Sequence, residues 1–118
     1  MRITKDNINQ FIEGSKMDCS NKDITHIEYI PDGIIHLYCN NNKLTELTKL
    51  PDGLISLWCE NNKLTELPKL PEGLVILNCH NNQLTTLPHL PEGLINLNCE
   101  DNNLPYKITL DNLKEHNT

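Results

Sequence analysis

Large rings, basic faces and long apolar runs are all scarce in this chain. Only 4% of the residues are aromatic, with one Trp and one Phe, so a thick globular core built on rings is not expected. Lys and Arg number 10 against 16 Asp and Glu, a formal charge of -6. Nucleic-acid binding by phosphate neutralisation needs a basic face, which this balance disfavours. No apolar run approaches the ~18 residues that a membrane span requires. The opening MRITKDNINQ also lacks the apolar stretch of a secretory signal. These absences predict a soluble, cytoplasmic protein with neither nucleic acid nor membrane as partner.

The five cysteines also lack the short, uneven spacings of zinc sites and disulfide frameworks. They fall at Cys19, Cys39, Cys59, Cys79 and Cys99, each twenty residues after the last. One unit is being copied. Leu and Asn dominate the composition, with 19 and 17 residues among 118, which is abnormal for an ordinary fold. Aligned on the period, the copies read PDGLISLWCENNKLTELPKL, PEGLVILNCHNNQLTTLPHL and close variants on either side. A degenerate copy, FIEGSKMDCSNKDITHIEYI, comes first and keeps Cys19, Ile24, Ile27 and Ile30 in phase.

Within one unit, Leu57 and Cys59 alternate with Trp58, which is strand spacing. Leu64, Leu67 and Leu70 then recur every third residue, with Pro68 and Pro71 beside the last of them. Two prolines so close forbid a helix, and the return segment is predicted to be extended, polyproline-like chain. Gly33, Gly53, Gly73 and Gly93 stand where that chain turns into the next strand. A single unit cannot bury its leucines, but stacked units can, with strands pairing in parallel at about 4.8 Å. Asn42, Asn62, Asn82 and Asn102 form a further column, placed to bond backbone groups of their own and neighbouring coils. Lys22 stands there in the first copy and predicts a looser turn or a cap.

The ends differ from the repeats. Asp6 is placed to cap a short helix presenting Ile8, Phe11 and Ile12 and stopping near Gly14. Thr109 is placed to cap the stretch TLDNLKEH, with Leu110 and Leu113 facing inward.

The unit LxxLxCxxNxLTxLPxLPxG resembles a leucine-rich repeat (LRR) over roughly residues 11 to 110. Its cysteine and doubled Asn resemble the LRR proteins of giant DNA viruses of the mimivirus kind. Less closely, it resembles the short repeats of bacterial effectors. Some of those effectors carry a ubiquitin-ligase domain after the repeats; eight residues follow the last coil here, so no such activity is carried over. The resemblance implies a mostly parallel-β, α/β-type solenoid, right-handed, of about five 20-residue coils. It would have a short helical N-terminal cap and an extended convex side. The predicted organisation is a single domain over 1–118, with caps at 1–13 and 111–118 flanking repeats at 14–110.

Candidate sites divide by column. The cysteines should point inward as small apolar side chains. Asp32, Asp52, Glu72 and Glu92 line one edge, where a solvated acidic row is a better reading than a calcium site. The histidines occupy different columns and do not converge on a metal. His80 has Glu60 and Glu100 in its own column, which favours the imidazolium. No nucleophile, phosphate loop or cofactor motif is present, so the chain reads as non-enzymatic and cofactor-free. The exposed strand positions remain. On the three central strands they are His36, Tyr38, Asn40; Ser56, Trp58, Glu60; and Ile76, Asn78, His80. Tyr38 and Trp58 are column neighbours, and Tyr and Trp are enriched at binding hot spots. Beside them, Ile35, Ile55, Val75 and Ile95 border the face. The expected function is protein–protein interaction through the concave strand face, with a host or viral protein as partner if the viral resemblance holds. The alternative is a self-assembling component forming weak homo-oligomers through the solenoid ends.

Overall fold

The computed structural model describes residues 1–118 and resolves the repeat into stacked coils. In chain order the strands are β1 (Arg2–Ile3), β2 (Ile12–Glu13), β3 (Lys16–Asp18), β4 (His26–Ile27), β5 (His36–Tyr38), β6 (Ser56–Trp58), β7 (Ile76–Asn78) and β8 (Asn96–Asn98). Strands β3, β5, β6, β7 and β8 pair in parallel, each offset from the last by one repeat, with Leu37, Leu57, Leu77 and Leu97 as register partners. Between these strands the chain makes turns and bends but no helix, as the prolines require. Leucines from the strand and from the return segment fill the inside of each coil and merge with the cysteines into one core.

The column Asn42, Asn62, Asn82, Asn102 stitches coil to coil. The Asn62 amide nitrogen donates to Cys59 O of its own coil at 3.1 Å and to Cys39 O of the preceding coil at 3.0 Å. Its oxygen accepts from Leu44 N at 3.0 Å. The preceding and following coils repeat the scheme through Asn42 and Asn82. In the first coil, Lys22 has no such amide, but its backbone N–H is received by Asn42 Oδ1.

The structure refines or corrects four sequence expectations. The repeat glycines stand in the turn that leads into each strand, where Leu54 N donates to Pro51 O at 3.1 Å, but they do not take a left-handed backbone. Asn41, Asn61, Asn81 and Asp101 do, with φ between 55° and 57°, because short polar side chains tolerate the left-handed region. A Cβ at Gly33, Gly53, Gly73 or Gly93 would meet nothing within 4 Å. The first coil differs at its turn in carrying two left-handed residues, Asn21 and Asp23. Asp6 does not cap the N-terminal helix. The element is one 3-10 turn over Ile8–Phe11 preceded by Asn7, whose Oδ1 accepts from Thr4 N at 2.8 Å. Ile12 leaves that turn to start β2, which pairs antiparallel with β3.

At the C-terminus, a 3-10 turn over Leu110–Asn112 runs into the short helix α1 (Leu113–Asn117). Asn112 Oδ1 accepts from Thr109 N at 2.8 Å. Leu113 is buried, but Leu110 faces solvent, a further correction. Residues three apart share a side of a 3-10 turn, and both leucines border a notch with Glu92 and Leu94, but only Leu113 is covered where α1 docks. That docking is polar: Asn117 bonds both N and O of Leu90, and His116 Nε2 bonds Pro88 O.

Candidate strand-face interface

On each strand the alternation that buries Leu37 and Cys39 sends His36, Tyr38 and Asn40 to the opposite face. Parallel register then aligns like positions from coil to coil, placing Tyr38 directly beside Trp58. The two rings stack with centroids 6.0 Å apart and planes within 8°. Lys16, one coil earlier, sets its ammonium 5.3 Å from the Tyr38 centroid. The result is a cation–ring–ring run across three coils. The sequence columns identified its rings but did not join the lysine to them, because Lys16 pairs with His36, two residues short of the Tyr38 column, and reaches over by side-chain length. Geometry of this kind contributes roughly 0.5–1.5 kcal/mol beyond area burial.

Trp58 is half-buried rather than free on the surface, and its Nε1 is shielded from solvent with no hydrogen-bond partner. Glu60, two residues on and facing the same way, has an equally shielded and unpartnered Oε1. Its other oxygen accepts from Asn78 Nδ2 at 3.2 Å. One donor and one acceptor on the same strand thus stand without a partner.

The other predicted positions are partly rearranged. Ser56 is not an exposed contact: it is 2% exposed, since the larger His36 and Ile76 flank it in register. Its Oγ lies 2.7 Å from His36 Nδ1. His80 does not turn to the carboxylates of its column; its Nδ1 lies 2.7 Å from Asn78 Oδ1. Asn40, Ile76 and Asn78 are half-buried members of the same face. At its border, Ile55 and Ile95 are exposed while Ile35 and Val75 are half-covered, so the branched row forms an interrupted apolar rim.

Two asparagine arrays flank the face. The sequence reading found the inner one and missed the outer. Asn61 Nδ2 donates to Asn41 Oδ1 at 2.6 Å, and Asn81 Nδ2 to Asn61 Oδ1 at 2.7 Å. The doubled Asn of the repeat was its signal: one amide works inside the coil and the other along its edge.

The cysteine column lies beneath the strands, unpaired and buried. Loss of hydration pushes the Cys19 thiol up to about 12, and Cys79 higher still. The same burial raises Cys39, Cys59 and Cys99. A thiol held neutral is a poor nucleophile and metal ligand. The acidic row Asp32, Asp52, Glu72, Glu92 is exposed.

No protein-family model matches the chain, and none of the curated proteins does. Solved structures do. YopM from Yersinia enterocolitica WA-314 superposes with a TM-score of 0.75 at 37% identity, over 76% of this chain and 20% of its own. The LRR domain of a Shigella effector gives 0.77 at 32% identity, over 81% of this chain and 44% of its own. The chain therefore spans less than half the length of either neighbour. With parallel strands in one-repeat register and coils stitched by asparagine, the molecule is a leucine-rich repeat solenoid of about five coils, similar to the repeat domains of these bacterial effectors.

Proposed function

We propose that the chain is a non-enzymatic interaction module that holds a protein partner on its concave strand face. The observation that carries this reading is the Lys16–Tyr38–Trp58 stack, with the unsatisfied Trp58 Nε1 and Glu60 Oε1 beside it. A buried unpaired polar group costs roughly 1–3 kcal/mol. A partner whose backbone carbonyl and N–H meet these atoms, as the rotamers open, would recover that cost. His36, Asn40, Ile76, Asn78 and His80 provide a mixed rim around the rings, the usual setting of a hot spot.

The effector neighbours support protein as the ligand class. The repeat also keeps its resemblance to giant-virus LRR proteins, for which a host or viral protein is the implied partner. Five unpaired thiols suit a reducing compartment, and we place the protein in the cytoplasm.

Capture of proteins from cell extract by the wild-type chain and by Trp58→Ala tests the reading, with Glu66→Lys on the opposite side as control. Loss of 2 kcal/mol at a hot spot is roughly thirtyfold in affinity. The reading expects Trp58→Ala to lose the bound protein and Glu66→Lys to retain it. Retention by Trp58→Ala with loss in Glu66→Lys would move the interface to the convex side.

A further inference from the structure

The two ends of the solenoid are finished differently. At the N-terminal end β2 covers β3, and the Ile12 N–H is already given to Asn9 O. The β2 edge therefore offers little to another strand. At the C-terminal end no strand follows β8. Within the stack, Ile55 O receives Val75 N and Cys59 N donates to Asn78 O, so these groups always point toward the next coil. Their counterparts Ile95 O and Cys99 N have no partner. By the same alternation, Leu97 directs both its N–H and its C=O outward. Helix α1 docks on Pro88 and Leu90, away from this edge, and Ile108 O meets Cys99 through its Sγ at 3.2 Å, leaving the Cys99 N–H free. Ile95 is 71% exposed beside the edge. An open notch of about 390 Å³, lined in part by Leu104 and Tyr106, lies alongside.

We propose that this edge is a self-association site, at which a second copy of the chain pairs its own β8 antiparallel across a two-fold axis centred on Leu97. The free groups select that occupant. Under the two-fold, Leu97 N–H and C=O meet Leu97 of the second copy. Cys99 N–H meets Ile95 C=O of the second copy, and the reciprocal bond closes the set. Four free groups on each chain are thereby matched by the same four on the other, as an isologous contact requires. Asn96 falls opposite Asn98 of the second copy, amide to amide, on the strand face. Residues 94–99 contain no Lys or Pro, the residues that commonly blunt edge strands. The interface is one strand wide and therefore weak. Head-to-tail stacking is disfavoured because β2 closes the other end.

Sedimentation equilibrium from about 0.01 to about 1 mM spans the range for a contact this small. The mass is expected to rise from monomer toward dimer and stop there. Ile95→Lys, at a position exposed enough to leave the fold intact, should weaken association at least tenfold. As a second readout, Asn96→Cys combined with Asn98→Cys places thiols in a non-hydrogen-bonded antiparallel pair. Their Cα atoms would be about 4.5 Å apart, within disulfide reach. Mild oxidation should give a covalent dimer in which the five native thiols remain reduced. A monomer throughout the range without cross-linking overturns the proposal, and so does a ladder of masses beyond the dimer.

Discussion

Two neighbouring asparagines in each coil do different work, and substitution separates them. Asn62→Ala removes the internal amide that holds Leu44 N and the carbonyls of Cys39 and Cys59. Denaturant melts should show a loss of roughly 1–3 kcal/mol, against at most about 0.5 kcal/mol for solvated Lys63→Ala. Equal losses would mean that the inner column is not a support. Asn61→Ala tests the turn, since φ is 57° there. A Cβ-bearing residue without local polar compensation costs roughly 1–2 kcal/mol in that region. Asn61→Gly should recover most of the loss, because glycine meets the angle freely. Gly53→Ala, by contrast, should be neutral or gain up to about 1 kcal/mol, because its φ is ordinary and its Cβ space empty. This ranking reverses what the sequence suggests. Gly53, two residues after Pro51, reads as a turn and stands in one, whereas the first Asn of Asn61-Asn62 looked like a polar companion. Only the backbone angle distinguishes them.

Elements built from repeats give repeated chemistry, and the cysteine column makes that measurable. The unfolded chain loses its thiol protons near the ordinary value of 9.0, while folded Cys19 holds its proton to about 12. A raised folded value stabilises fully below 9.0, and that contribution fades as pH climbs toward 12. Stability should therefore be flat through neutral pH and fall above 9.0, by up to about 1.4 kcal/mol per pH unit for each buried thiol. Cys59→Ala should reduce that slope, at some cost in packing at neutral pH. An unchanged slope would show that the thiols do not drive alkaline unfolding. In the native state the thiols should resist a disulfide reagent and react only after denaturant. Two or more missing from the denatured count without reductant would indicate disulfides. The capping elements were less legible. Strand β1 pairs in parallel with β4, tying Arg2–Ile3 to the first coil. A two-residue strand carries no period for a sequence to display. Leu110 failed for another reason: its spacing from Leu113 fits one side of a turn, but the open notch that both border leaves Leu110 uncovered.

At the scale of the molecule, the fold was legible because the same twenty residues recur, and a repeat that cannot bury its leucines alone must stack. The strand face was legible as columns: parallel register alone sets Tyr38 beside Trp58. What the columns could not show was depth. Ser56 shares a face with Trp58 but sinks between larger neighbours, and His80 takes the nearer amide of Asn78 instead of a carboxylate. Depth also limits the tryptophan signal. A half-buried Trp58 with a shielded Nε1 should be quenched by iodide only in part, less than a free surface indole and more than a core one.

The distribution of aromatics permits one direct measurement of the binding face. Tyr38 and Trp58 lie on it, Tyr29 is near the first coil, and Tyr106, 51% exposed, stands by the open end. Oxidative footprinting of the free and partner-bound protein reads all four rings in a single sample. Binding on the strand face should protect Trp58 and Tyr38 together and leave Tyr29 and Tyr106 oxidised at their free rates. Unchanged oxidation of Trp58 and Tyr38 in the complex, with protection appearing at Tyr106 or Tyr29 instead, would contradict the strand face as the interface.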